Sequence, residues 1–106
     1  MEPPDAVVIL STSPREYSEK IAEALVEGRL AACVNIAGVR SIYRWKGEMQ
    51  HDNEDLLIIK TTPKRANEAI SVIREMHTYE LPEAIVLPIM HGFDAYLRWV
   101  EEETTK

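Results

Sequence analysis

A chain of 106 residues with 18 acidic and 12 basic side chains, net charge −6, has room for one domain. Its acidic balance repels phosphate backbones and anionic lipid, which excludes nucleic acid and membrane as its main partners. A single cysteine, Cys33, excludes an intrachain disulfide, and a hydrophobic fraction of 45% with 28% charged residues describes a folded globular protein.

Met1 to Asp5 lacks the basic start and apolar stretch of a secretory leader, and no apolar run approaches the ~20 residues of a membrane span. The cytoplasm is the expected compartment, with a single domain over 1–106 and an ordered core from about residue 5 to residue 103. The first strand is expected from Asp5 to Thr12, where Ala6-Val7-Val8-Ile9-Leu10 is a β-branched run suited to a strand covered on both faces. Ser13-Pro14-Arg15-Glu16 reads as a helix start, Ser13 capping, Pro14 in the first turn and Glu16 completing a capping box. Tyr17, Ile21, Ala24, Leu25 and Gly28 follow at helical spacing, with Gly28 placed to end the helix.

Leu30 to Ile36 is apolar, and Ser41 to Trp45 alternates as a half-buried strand does. Lys46-Gly47 suits a tight turn, Gln50 to Glu54 is polar, and Leu56-Leu57-Ile58-Ile59 restores a buried strand. Thr62-Pro63 repeats the cap-then-proline signature, ahead of an inward stripe of Ala66, Ala69, Ile70, Ile73 and Met76. Ala84 to Leu87 makes a fourth strand, which Pro88 confines to an edge or a bulge. A last helix is expected from about Phe93 to Glu103, with Phe93, Tyr96, Leu97 and Val100 facing in.

Two βαβ units joined through a central hairpin make an α+β fold: a ferredoxin-like βαββαβ sandwich with an extra C-terminal helix. A doubly wound sheet would need a helix between residues 30 and 60, and none is written there. The hairpin arms, Leu30–Trp45 and Glu48–Thr62, are about 15 residues each, a reach of about 50 Å at 3.3 Å per residue. Such an arm overhangs a domain this small, with Gly38 as the expected bend, and Ile42, Tyr43 and Trp45 would then stand exposed. A second copy covering them resolves the exposure, with Trp45 as interface anchor. The alternative is a long wet hairpin with a mobile tip.

The chain also resembles the divalent-cation tolerance (CutA) family. The resemblance is carried by Arg29-Leu30-Ala31-Ala32-Cys33-Val34-Asn35, Ser41-Ile42-Tyr43-Arg44-Trp45-Lys46-Gly47-Glu48 and Ile59-Lys60-Thr61-Thr62. His77-Thr78-Tyr79-Glu80-Leu81-Pro82-Glu83, Leu87-Pro88-Ile89 and Tyr96-Leu97-Arg98-Trp99 complete it, in family order from about residue 6 to residue 103. It implies a cytoplasmic homotrimer of PII-like architecture whose hairpins pair edge to edge. It also implies a link to copper and other divalent cations, and no catalytic activity. Of the family's proposed copper ligands, a cysteine ending the first strand and two adjacent histidines, the matching positions here are Ser11, Met76 and His77, with Thr78 in place of the family's proline. His77 is then the strong ligand, and the Met76 thioether a soft partner for Cu(I).

Cys33 reads either as a small buried hydrophobe or as a thiolate in an intersubunit cleft. A hairpin paired about Lys46-Gly47 puts positions summing to about 93 opposite each other, which sets Cys33 across from Lys60. His77 is either the cation that closes the second helix or a ligand. Glu80, beside Tyr79 in a polar loop, is a hydrogen-bonding brace or a ligand contact. Two ligand classes stay open for clefts near Cys33, Lys60, His77, Tyr79 and Glu80: copper or another divalent cation, or a small anion or metabolite drawn by Lys60 and Arg29. A rigid scaffold without ligand is the third reading. The four glycines stand alone, so there is no phosphate loop, and no nucleophile has a recognisable His/Asp partner.

Overall fold

The computed structural model describes residues 5–105 and runs β1 (Val7–Ser13), α1 (Arg15–Glu27), β2 (Cys33–Trp45), β3 (Glu48–Thr61), α2 (Pro63–Met76), β4 (Ile85–Pro88) and α3 (Asp94–Glu103). The strands form one antiparallel sheet in the order β2-β3-β1-β4, the arrangement expected of two βαβ units joined by a hairpin. Along β1 every second residue is buried: Val7, Ile9, Ser11 and Ser13. These meet Leu57 and Ile59 of β3, and against that face pack Ile21 and Leu25 of α1 with Ala66, Ala69 and Ile73 of α2. Both crossover helices therefore cover one face. Burying each large side chain of this cluster contributes about 1.5–3 kcal/mol, which is what holds the helices down.

Local chemistry explains the boundaries. Thr62 and Pro63 start α2 at the N-cap and first-turn positions. Ser13 does not cap α1: it completes β1, its hydroxyl donates to the Pro14 carbonyl, and Pro14 takes the N-cap position with no side-chain bond. Competition from the β1–β3 ladder, which pairs Ser13 with Asp55, overrides the local capping signal. After Gly28 it is Arg29 that adopts the left-handed conformation, φ 58°, and the chain doubles back so that the amides of Leu30 and Ala31 both bond the Leu25 carbonyl. β2 consequently begins at Cys33 rather than Leu30. Thr61 Oγ1 fastens this corner through the Leu30 carbonyl at 2.7 Å.

The buried faces of α1 and α3 differ from the residues read along them by helical spacing. On α1 the buried set is Ser18, Ile21, Ala22 and Leu25, and Tyr17 is exposed, because Ser18 turns inward to bond Asp55 Oδ2 at 2.6 Å. On α3 only Leu97 and Val100 are buried; Phe93 is 78% exposed at the N-cap and Tyr96 lies at the rim. α3 packs through those two residues on Ala6, Ala32 and Ile89, a second small cluster at one end of the sheet.

The hairpin ladder is continuous from Cys33↔Lys60 to Trp45↔Glu48, so Gly38 sits in register and marks no break. Lys46 (φ 50°) and Gly47 (φ 82°) close it as a two-residue turn with both residues left-handed, the geometry that matches strand twist. β1 ends opposite Asp55, so Val39–Trp45 and Glu48–Glu54 project beyond it by seven residues each, about 23 Å. That projection gives the chain extents of 51 × 25 × 21 Å.

Replacing fully buried Ile59 by Ala is expected to cost about 2–5 kcal/mol in urea unfolding. The same change at exposed Lys64 of α2 should stay within about 0.5 kcal/mol.

Candidate functional site

Strand alternation sets the chemistry of the face turned away from α1 and α2. Along β1 it carries Val8, Leu10 and Thr12, which pair with Lys60, Ile58 and Leu56 of β3, and the same parity puts Cys33, Asn35, Tyr43 and Trp45 of β2 there. Ile85 and Leu87 of β4 continue it and remain 48% and 43% exposed. The middle of this face is apolar, and polar groups collect at its two ends.

At the α3 end, Cys33 faces Lys60, as the register sum predicts. The Lys60 ammonium donates to Asn35 Oδ1, and the Cys33 thiol lies 3.9 Å from the same oxygen. Tyr96 of α3 stands against Cys33; burial first, and then the sulfur, push its phenol above the ordinary value. Arg29 is not part of this group. Its guanidinium bonds the Glu103 carbonyl at 3.3 Å and pairs with that residue's carboxylate at 3.7 Å.

At the other end the segment 77–84 leaves α2 and runs along the projecting hairpin. His77 caps α2, its amide bonding the Ile73 carbonyl at 2.9 Å. Its Nδ1 accepts the Tyr79 amide at 3.2 Å, so the proton resides on Nε2, which donates to the Thr12 carbonyl. Both ring nitrogens are thus engaged, Nε2 tying the segment to the end of β1, and the imidazole meets the Tyr79 ring at 4.5 Å between centroids with the planes tilted by 54°. The Tyr79 hydroxyl donates to Glu54 Oε1 at 2.8 Å, and Glu54 is only 4% exposed. Desolvation, then the Glu54 carboxylate, hold the Tyr79 phenol far above its usual range. A second pair repeats the motif, Tyr43 donating to Asp52, and that bond raises the Tyr43 phenol too. At the hairpin tip Lys46 reaches Glu80 at 3.6 Å.

Between hairpin and segment lies a cavity of about 480 Å³. Tyr43, Trp45 and Tyr79 give it aromatic walls, Glu54, Glu80 and Glu83 supply carboxylates, and Thr12 and Ser41 supply hydroxyls. Tyr79 and Glu80, expected near a cleft, line this cavity, and so do Tyr43 and Trp45, read as interface residues.

The residues expected to share one cleft thus divide. Cys33 and Lys60 sit at one end and His77, Tyr79 and Glu80 at the other. Lys60 pairs with Val8 and Leu56 with Thr12, so the two groups lie roughly 13 Å apart along the strands alone. Met76 packs partly buried against the core cluster. Among the described residues no three His, Cys, Asp or Glu side chains converge as a metal site, and no helix is long and apolar enough to cross a membrane. Glu54, Asp52 and Thr12 escaped the sequence reading, which took 50–54 only as a polar stretch. The register sum offered the signal: it puts Gln50 opposite Tyr43, and alternation then places Asp52 and Glu54 on the same face.

The profile of the family described as "CutA1 divalent ion tolerance protein" matches residues 6–103. The divalent-cation tolerance protein CutA of Thermus thermophilus is 45% identical over 101 residues, which span 94% of this chain and 98% of that protein. The chloroplastic CutA of Arabidopsis thaliana is 42% identical over 102 residues, 95% of this chain but 56% of that protein's length. Among solved structures, one described as the "PII-like protein CutA" of a Nostoc species superposes with a TM-score of 0.89 at 37% identity, covering 93% of this chain and 97% of that one.

Removing the Tyr79 hydroxyl (Tyr79→Phe) leaves a buried carboxylate short of a donor and should cost about 1–3 kcal/mol in chemical unfolding at neutral pH. The phenol's raised value also sets a sign. Stability it contributes is complete below the unfolded value of 10.0 and falls as pH rises past it, because the unfolded tyrosine then ionises first. Wild-type protein should therefore lose stability above pH 10.0 more steeply than Tyr79→Phe, followed by denaturant midpoints across that range.

Proposed function

The chain belongs to the CutA1 divalent ion tolerance family, and on that premise we propose that it works by binding, not catalysis, as a cytoplasmic homotrimer. In this reading it takes copper or another divalent cation in or near the clefts between subunits. The observation that carries the assembly is the projecting hairpin: β2 offers an unpaired edge of 13 residues beside an apolar open face. A long exposed edge is a pairing template that stable proteins cover, and further copies of the chain do so with Tyr43, Ile42 and Trp45 in the contact. Ile42 is 66% exposed in the single chain, in keeping with that role.

For the metal, one chain does not bring its donors together: Cys33 is remote from His77, and both nitrogens of His77 already have partners. A cation bound by Cys33, His77 and Met76 therefore lies between subunits and displaces one of the His77 bonds. Lys60 lies beside Cys33, and Tyr79 and Glu80 follow His77, without being needed as ligands; Arg29 is held by Glu103. The second reading, a PII-like sensor of a small anion or metabolite, draws on the likeness to the Nostoc protein described as PII-like. It relies on Lys60 and Arg29, which are held by Asn35 and Glu103 and would have to be released.

Copper or zinc titration by calorimetry should show binding that falls at least about tenfold in both Cys33→Ser and His77→Ala, since each removes a strong ligand. Heats unchanged by both substitutions discard the metal assignment. Sedimentation at micromolar concentration should give a trimer, and Ile42→Asp, which buries a charge in the proposed contact, should shift it toward smaller species.

A further inference from the structure

Helix ends ordinarily carry side chains that offset the macrodipole, acidic at the N-terminus and basic at the C-terminus. The ends of two helices that meet at one pocket do the opposite. The first turn of α2 has no acidic residue and begins Pro63-Lys64-Arg65, while the last turn of α3 has no basic residue and holds Glu101 and Glu102. Both ends line a pocket of about 570 Å³, as does Asp5. One wall is therefore electropositive and the other electronegative. Arg65 links them, its Nε donating to the Thr104 carbonyl at 2.8 Å. Lys64, Asp5, Glu101 and Glu102 make no ion pair among the described residues, so their charges line the pocket without neutralising one another. A break with local charge rules of this kind is what functional sites show.

The positive wall also carries a donor that the fold leaves unused. Thr62, the N-cap of α2, is only 7% exposed, and its hydroxyl does not close on the helix as an N-cap hydroxyl ordinarily does. It has no hydrogen-bond partner among the described residues. No fully buried side-chain oxygen of those residues goes unbonded, so this hydroxyl keeps its access to the pocket that Thr62 lines. The amides of Arg65 and Ala66 bond the Thr62 carbonyl and Pro63 has none, which leaves the Lys64 amide as the first turn's free donor. An anion alone meets the carboxylates opposite, and a cation alone meets the ammonium; a ligand carrying both charges satisfies both walls. We propose that this pocket binds a small zwitterion, its carboxylate on Thr62 and Lys64 and its ammonium toward Glu101 and Glu102. The proposal goes beyond the metal and assembly readings, because none of these residues is assigned to the cation or to the contact between copies.

Calorimetry on the full chain with ε-aminocaproate, and with caproate and hexylamine, which keep one charge each, tests it. The zwitterion should bind, and each singly charged analogue at least about tenfold more weakly, since it leaves one wall unanswered. Thr62→Val, close in shape, and Lys64→Ala, at an exposed position, should each weaken ε-aminocaproate about tenfold, as should Glu101→Gln combined with Glu102→Gln. None of these changes touches Cys33, Met76 or His77, and copper heats should stay as in wild type. Caproate or hexylamine binding as tightly as the zwitterion overturns the proposal. So does binding that these variants leave unchanged, and so does the failure of both ε-aminocaproate and the shorter γ-aminobutyrate to bind folded wild-type protein.

Discussion

Thirteen consecutive cross-strand pairs join β2 to β3, whereas β1 offers β3 only seven. The helices rest on the part of the sheet that β1 completes, and the apolar cluster there is closed by Ile9, Leu57, Ile59, Ile21, Leu25 and Ile73. Among the described residues no third strand pairs with the ribbon beyond Asp55. The ribbon is supported there by side-chain bonds: Tyr79 to Glu54, Lys46 to Glu80, and Tyr43 to Asp52 within the ribbon itself. The unequal lengths thus produce the cavity, the free edge and the exposed apolar tip together.

The same inequality separates two kinds of chemistry on one face. Near α3 a thiol, an ammonium, an amide and a phenol meet where the sheet is three strands wide or more. Beyond β1 the ribbon and segment 77–84 gather carboxylates and rings with hydroxyls directed at acids. Between them lie Leu10, Ile58, Leu56 and the exposed Ile85, which carry no ionisable group. A sheet face with two polar ends and an apolar middle has the charge distribution of an interface centre, since buried interface centres are depleted of charge.

Much of this was legible in the chain. Continuous apolar runs marked β1 and β3, Thr62-Pro63 marked α2, and the Lys46-Gly47 turn fixed the hairpin register to the residue, because a two-residue turn leaves no slack. What failed was local signal outweighed by long-range contact. Ser13 looked like a cap and became the last rung of a ladder; Gly38 looked like a bend and stayed in register. Phe93 looked buried by periodicity but falls before the first turn of α3. The site was half legible: Cys33 opposite Lys60 followed from arithmetic, yet the bond between Tyr79 and Glu54 spans 25 positions and two elements, and no periodicity encodes it.

Because the turn is tight and the ladder unbroken, the identity of each wall is a matter of odd and even. On β2 the odd positions Ser41, Tyr43 and Trp45 look one way; on β3 the even positions Gln50, Asp52 and Glu54 join them. Deleting a single residue from either arm would turn that arm's chosen side chains through the ribbon and present Arg40, Arg44, His51 or Asn53 in their stead. Deleting two neighbouring rungs, two residues from each arm, would merely draw the tip inward. The length of this ribbon is therefore free to drift in steps of two, while its chemistry admits no step of one.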